Sequence, residues 1–282
     1  MSRDFQLRED TDNYAVMGNP VAHSQSPRIH HAFALQTGEK LYYQAILVPV
    51  GRFARVLDDF QGEGGKGFNV TVPFKQDACM AMDVLTARAE QAGAVNTVWF
   101  DDAGRRHGDT TDGAGLIRDL DRNGVDPAGK SVLMLGAGGA VRGVLGEILQ
   151  RQPARLLIAN RTQSRAQDLI TSFPTPIETR AAGFEELASK GPFDLIVNAT
   201  PAGLTAELPE LPPGLLAEGG CCYDMVYGTG QATPFVSWGR QHGAAICLDG
   251  LGMLVEQAAE SFYIWRGVHP ETQPVIDMLR GQ

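Results

Sequence analysis

A lysine just past a hydrophobic strand can hold a proton at a site, and Lys75 closes such a stretch, Asn69-Val70-Thr71-Val72-Pro73-Phe74-Lys75. A second loop end, Gly108-Asp109-Thr110-Thr111-Asp112-Gly113, offers the carboxylate of Asp112 as its charge partner. Hydride reduction of a ketone leaves an alkoxide that must be protonated. An ammonium can donate directly, and a neighbouring carboxylate favours its charged form. Further on, Leu135-Gly136-Ala137-Gly138-Gly139-Ala140 follows an apolar run and opens a helical one, the context of a dinucleotide-binding turn. Together the three point to a nicotinamide-dependent carbonyl reductase. Each also has a plainer reading: a solvent lysine at a helix start, an N-cap for a helix over Gly113 to Arg122, and a βα turn that only turns.

The glycine turn departs from G-x-G-x-x-G, because Val141 stands at the third glycine position and Gly143 follows two residues later. The next strand strengthens the cofactor reading. It ends Ile158-Ala159-Asn160-Arg161-Thr162, with Arg165 just beyond. A site preferring NAD usually carries Asp or Glu about 20 residues past the glycines, to hold the ribose 2′-hydroxyl. Here Asn160 and a cation occupy that place. Arg161 can clamp a 2′-phosphate, with a hydroxyl from Thr162 and a second charge from Arg165. A charged hydrogen bond is worth about 1.5–3 kcal/mol, enough for roughly 10- to 100-fold preference, so the expected cofactor is NADP(H). A purely solvated arginine pair at a helix start is disfavoured, since cations oppose the positive end of the macrodipole.

An anionic substrate has its own candidates in His23-Ser24-Gln25-Ser26-Pro27. In an extended segment Ser24 and Ser26 face the same way and can aim both hydroxyls at one carboxylate, above a helix N-terminus. Ser26 alone also fits an N-cap, with Pro27 at the first helical position and Gly38 closing the helix. His23 reads as a turn histidine.

These groups need a scaffold. At 282 residues the chain suits two domains. Its 43% hydrophobic content supports packed cores, and a formal charge of −9 argues against nucleic acid or an anionic membrane as partner. No apolar run reaches membrane-spanning length, and Met1-Ser2-Arg3-Asp4-Phe5 lacks a signal-peptide core. Cys79, Cys221, Cys222 and Cys247 have no C-x-x-C spacing; free thiols, no metal and a cytoplasmic location are expected. Strands are expected at Tyr14 to Met17, Leu41 to Val48, Gly67 to Val70 and Ala94 to Phe100, with helices over Ser26 to Gln36 and Arg52 to Phe60. From Asp112 onward five apolar runs recur (131–135, 154–159, 194–198, 221–224, 245–248), separated by helices or loops. That pattern implies a parallel sheet covered on both faces. Helices over Gly250 to Arg266 and Pro274 to Arg280 end the chain. The expected fold is α/β: a substrate domain (1–112), a Rossmann-type doubly wound NADP domain (113–249), and C-terminal helices (250–282) returning to the first, with a cleft between the domains.

Across nearly its whole length the chain resembles shikimate dehydrogenases. The resemblance rests on Tyr14 to Pro20, His23 to Pro27, Asn69 to Lys75, Gly93-Ala94-Val95-Asn96-Thr97 and Thr111-Asp112-Gly113. It continues through Gly136 to Ala140, Asn160-Arg161-Thr162, Tyr223-Asp224-Met225-Val226-Tyr227 and Asp249-Gly250-Leu251-Gly252-Met253-Leu254. It implies NADPH-dependent, reversible reduction of 3-dehydroshikimate to shikimate, in aromatic amino-acid biosynthesis. It also implies that Ser24, Ser26 and Tyr227 hold the carboxylate, that Thr71, Asn96, Asp112 and Gln257 bind ring hydroxyls, and that Lys75 with Asp112 handles the proton. Gly136, Ala137, Gly138, Gly139, Ala140, Asn160, Arg161, Thr162 and Arg165 would hold the cofactor. Met225 and Gly250 would line its nicotinamide end, with Asn198 and Thr200 close by. Two departures stand out: Thr110 where many members carry Asn, and Val141 where many carry Ser. Alternatives are a quinate/shikimate relative with relaxed specificity, a methylene-tetrahydrofolate dehydrogenase, and a silent NADP-binding regulator. Oligomeric state is left open, a homodimer included.

Overall fold

The computed structural model describes the whole chain except residues 1–4, 201–207, 229–230 and 282. The first four residues, used in the sequence reading, therefore lie outside the described residues. The chain forms two compact units. One comprises Met1–Gly115 and Val255–Gln282, the other Leu116–Leu254.

In the first unit the elements run β1 (Asp12–Gly18), α1 (Ser26–Thr37), β2 (Leu41–Leu47), α2 (Phe53–Gly62), β3 (Gly67–Val70), α3 (Lys75–Met80), β4 (Val84–Leu85), α4 (Ala87–Ala92), β5 (Thr97–Phe100) and β6 (Arg106–Asp109). They build a six-stranded mixed sheet in the order β2-β1-β3-β5-β6-β4. Strands β1, β2 and β3 are parallel, while β5 runs antiparallel to both β3 and β6. A core of Phe53, Phe60, Phe68, Phe74 and aliphatic side chains packs against it.

The second unit begins within α5 (Asp112–Arg122), at Leu116, and runs through β7 (Ser131–Leu135), α6 (Gly139–Gln150), β8 (Arg155–Ala159), α7 (Gln163–Thr171), β9 (Glu178–Ala182), β10 (Phe193–Asn198), β11 (Leu216–Asp224), α8 (Pro234–Gln241) and β12 (Ile246–Asp249). The chain then continues in α9 (Leu251–Arg266) and α10 (Gln273–Arg280). The sheet is parallel, ordered β12-β11-β10-β7-β8-β9. The order reverses between β7 and β10, so the carboxyl ends of these two strands form the crevice where doubly wound sheets take ligands. Val132 to Leu135 are fully buried, as a strand covered on both faces must be. Most of α9 and all of α10 belong to the first unit, as the C-terminal helices were expected to.

Several expectations need correction. Both sheets hold more strands than the apolar runs suggested. Strand β6, Arg-His-Gly-Asp, has no hydrophobic alternation; Met82, Val95 and Leu85 crowd the space over Gly108 and supply its packing. Strand β9 is a polar edge strand, exposed at Glu178 and Arg180, which hides the sheet period. The run Ala94 to Phe100 is strand only from Thr97. Val95 N–H bonds Lys75 O (2.9 Å) and Asn96 N–H bonds Asp109 O (3.0 Å), which turns that segment toward the site. Ser26 is inside α1 rather than its cap, which falls on Gln25, although Gly38 closes the helix at φ 74°. Asp112 likewise sits in the first turn of α5 instead of capping it. Cys221 and Cys222 are buried and all four thiols are free.

Gly252 is fixed by packing. A Cβ at Gly252, in the first turn of α9, would lie 2.0 Å from Asp119 Oδ1. That carboxylate cannot retreat easily, because the Tyr223 hydroxyl donates to it at 2.6 Å and Arg122 at 2.6 Å. Gly252→Ala should therefore lower stability by about 1–3 kcal/mol, read from a denaturant midpoint. An unchanged midpoint would mean that Asp119 gives way freely.

Candidate active site

Lys75 opens α3, directly after a segment held at several points. Thr71 N–H bonds Met17 O (2.9 Å), Asn19 N–H bonds Val72 O (3.0 Å), and the buried Phe74 ring stacks on Phe53 at 5.5 Å. The Thr71 methyl occupies the space a side chain at Gly18 would need, 2.2 Å from an ideal Cβ there. The Val72–Pro73 peptide is cis. Lys75 Nζ donates to Asp112 Oδ2, with side-chain exposures of 20% and 9%.

The other carboxylate oxygen, Asp112 Oδ1, accepts from Asn96 Nδ2 at 2.8 Å. The Asn96 amide can be oriented only one way. Its oxygen accepts the backbone N–H of Thr111 (2.9 Å), a group that can only donate, so its nitrogen must face Asp112. Thr97 Oγ1 donates to the same oxygen at 2.9 Å. Gln257 Oε1, on α9, lies 3.3 Å from Asn96 Nδ2 and 3.4 Å from Thr111 Oγ1. Behind this layer Ser261 joins Thr97 (2.7 Å) and Asn69 (2.9 Å), and Tyr43 donates to Asn69 Oδ1 at 2.7 Å. Burial raises the Tyr43 phenol well above its usual value, and a hydrogen bond with Ser26 partly offsets this. The sequence reading did not single out Tyr43, Asn69, Thr97 or Ser261. Asn69 and Thr97 enter the sequence pattern only as the ends of the Asn69-to-Lys75 and Gly93-to-Thr97 motifs, and Tyr43 and Ser261 look like ordinary packing residues until the fold joins them.

The structure thus brings Lys75, Asp112, Asn96 and Gln257 into one hydrogen-bonded cluster, with Thr71 at the base of the loop before Lys75. Ser24 and Ser26 do not lie on an extended segment. The chain turns there, Ser24 N–H bonding Val21 O, and Ser24 Oγ accepts the Ser26 N–H at 3.3 Å. Ser24 therefore has a local structural task that spacing alone did not reveal. Thr110 Oγ1 is buried with no hydrogen-bond partner among the described residues. Tyr227 lies in the second unit, half-buried, its phenol raised by burial.

In the second unit the glycine turn joins β7 to α6. Gly136 has φ 107°, a left-handed value that favours glycine, and a Cβ there would approach Ala199 O at 3.2 Å. Gly138 and Gly139 are different: a Cβ at either would meet nothing within 4 Å. Protein packing does not explain glycine at these two positions, whereas close approach of a pyrophosphate to the α6 N-terminus would. Ala137 and Ala140 are half-buried in the same turn. Asn160 closes the loop after β8 by donating to Thr162 O at 2.8 Å. Arg161, Thr162 and Arg165 are exposed beyond it, and neither guanidinium has an ion-pair partner among the described residues. At the neighbouring strand ends, Asn198 donates to Asp224 Oδ1 (3.0 Å) and accepts from Thr200 Oγ1 (2.7 Å). Met225 N–H bonds Asn198 O (2.8 Å), and a Cβ at Gly250 would lie 2.2 Å from Met225 O, so backbone contact alone demands that glycine.

Three family models match along the chain: the shikimate dehydrogenase substrate binding domain over residues 16–98, shikimate / quinate 5-dehydrogenase over 120–205, and the shikimate 5′-dehydrogenase C-terminal domain over 250–280. The shikimate dehydrogenase (NADP(+)) of Alkalilimnicola ehrlichii is 56% identical over 271 residues, covering 96% of this chain and 99% of that protein. That of Alcanivorax borkumensis is 52% identical over 278 residues, covering 97% and 98%. Among solved structures, an Ael1 enzyme from Pseudomonas putida matches with a TM-score of 0.87 at 44% identity, covering 95% of this chain and 98% of that one. Shikimate 5-dehydrogenase from Thermus thermophilus, in complex with NADP(H) and shikimate, matches with a TM-score of 0.84 at 30% identity, covering 96% and 99%.

Asn96 is the member of the cluster most open to a stability test. Asn96→Ala leaves the fully buried Thr111 without the acceptor of its N–H. The expected cost is about 1–3 kcal/mol in urea denaturation. A wild-type midpoint would show that another acceptor takes over.

Proposed function

The chain belongs to the shikimate dehydrogenase family, and we propose that Lys75 and Asp112 manage the proton in its reaction. That reaction is the NADP-dependent, reversible reduction of 3-dehydroshikimate to shikimate, a step of the shikimate pathway. The observation that carries the proposal is the Lys75–Asp112 hydrogen bond, with Asn96 donating to the opposite carboxylate oxygen.

When bound, NADP(H) supplies or accepts the hydride. Gly136, Gly138 and Gly139 with the α6 N-terminus would hold its pyrophosphate, and Arg161 and Arg165, with Asn160 and Thr162, its adenosine end and 2′-phosphate. Lys75 does the acid–base work. In the reducing direction its ammonium gives a proton to the alkoxide oxygen, and solvent restores that proton to the amine. In the oxidising direction the neutral amine takes the hydroxyl proton. Asp112 holds the amine in place through either half-cycle and, with Asn96, Gln257 and Thr71, is assigned to the substrate's hydroxyls. Ser24, Ser26 and Tyr227 are assigned to its carboxylate. Short polar side chains of this kind suit a small anionic polyol better than a greasy pocket does. The same reasoning disfavours a catalytically silent regulator, which has no need for an amine placed on a buried carboxylate. Four free thiols fit a reducing cytoplasm, and no described helix is long and apolar enough to cross a membrane.

Two measurements test this assignment. Lys75→Ala should lower kcat by roughly 10²–10⁴ with little change in KM, followed by NADPH absorbance; an unaltered kcat would remove Lys75 from the chemistry. Arg161→Ala should raise KM for NADPH and leave NADH turnover nearly untouched, and equal effects on both cofactors would take the 2′-phosphate away from Arg161.

A further inference from the structure

We propose that Arg88 is a positioning residue for the substrate site, fastening the segment that carries Asp112 and the helix that carries Gln257 to one another. This rests on the assignment of Asp112 and Gln257 to the substrate. Arg88 lies in α4, away from the cluster around Lys75, and was not singled out by its sequence context. Its guanidinium makes a two-pronged contact with Asp109: Nε donates to Oδ1 at 2.7 Å and a terminal nitrogen to Oδ2 at 2.6 Å. The same terminal nitrogen donates to Glu260 Oε1 at 3.1 Å. One planar group thereby grips a sheet end and a helix at the same time, which a single ammonium cannot reproduce.

Both gripped residues stand next to groups of the cluster. Asp109 ends β6, three residues before Asp112, and its own carbonyl accepts the Asn96 N–H at 3.0 Å. Its side chain is 5% exposed and fully engaged, because Thr86 Oγ1 donates to Oδ1 at 2.5 Å and Thr110 N–H donates to it at 2.7 Å. Glu260 follows Gln257 by one helical turn and precedes Ser261, which bonds Thr97 and Asn69. A shift at Asp109 therefore moves both Asn96 and Asp112, and a shift at Glu260 moves Gln257. Bound geometry is steep in its effect, with a displacement of about 1 Å able to cost roughly 100-fold in rate.

The test is steady-state kinetics of the full-length protein with shikimate and NADP⁺, on Arg88→Lys and, separately, Glu260→Ala. Arg88→Lys keeps the charge and loses the fork; Glu260→Ala releases the helix and keeps the Asp109 contact. A positioning role predicts a shikimate KM raised roughly 10-fold, a lowered kcat and an unchanged KM for NADP⁺. A merely structural role would reduce the active fraction, lowering kcat with both KM values intact, and that result overturns the proposal. So does a wild-type shikimate KM. If Arg88→Lys does not fold, Glu260→Ala decides by the same two readouts. Gln257→Ala runs alongside: a wild-type shikimate KM there removes Gln257 from the substrate, whereas a raised one beside unaffected clamp variants rejects Arg88 alone.

Discussion

A carboxylate that is nine-tenths buried must have both oxygens satisfied, and Asp112 divides them between Lys75 and Asn96. The rest of the first unit's polar interior can be read outward from that division. Asn96 can serve Asp112 only with its nitrogen forward, and the Thr111 N–H behind it enforces this orientation. Thr97, Ser261, Asn69 and Tyr43 carry the network on, back to the edge of the sheet. A network of this kind is tolerable inside a protein only when nearly every member is paired, since an orphaned polar group there is costly. The pairing of both Asp112 oxygens is what holds the lysine amine at a defined place.

The second unit meets a different constraint. Its critical positions are defined by crowding, from backbone at Gly250 and from a held carboxylate at Gly252. Gly250 and Gly252 are glycine because Met225 O and the Asp119 carboxylate already occupy the volume of a Cβ. Gly138 and Gly139 have open space instead, at the carboxyl end of the central strand. Identical residues in one chain thus stand in two different settings, crowded by protein in one pair and open in the other.

The sequence conveyed much of this because the motifs are local. The lysine loop, the glycine turn after β7 and the Asn160-Arg161-Thr162 strand end each place their chemistry within a few residues. The doubly wound sheet announced itself through fully apolar runs. What stayed hidden has physical reasons. Strand β6 draws its packing from Met82, Val95 and Leu85, and β9 is a polar edge, so neither carries a hydrophobic period. The turn at Ser24 depends on a bond to Val21 O and on the Ser26 N–H, which two-residue spacing does not disclose.

Residue order alone determined the fold class, the family, the cofactor and the chemical types available at the site, since those depend on short motifs and on the period of hydrophobic residues. Only the tertiary structure decided which groups touch. Lys75 and Asp112 are 37 positions apart, Asn96 and Gln257 161, and Arg88 and Glu260 172. Contacts over such separations are set by the register of β5 between β3 and β6 and by the placing of α9 beside them. No local propensity records either one.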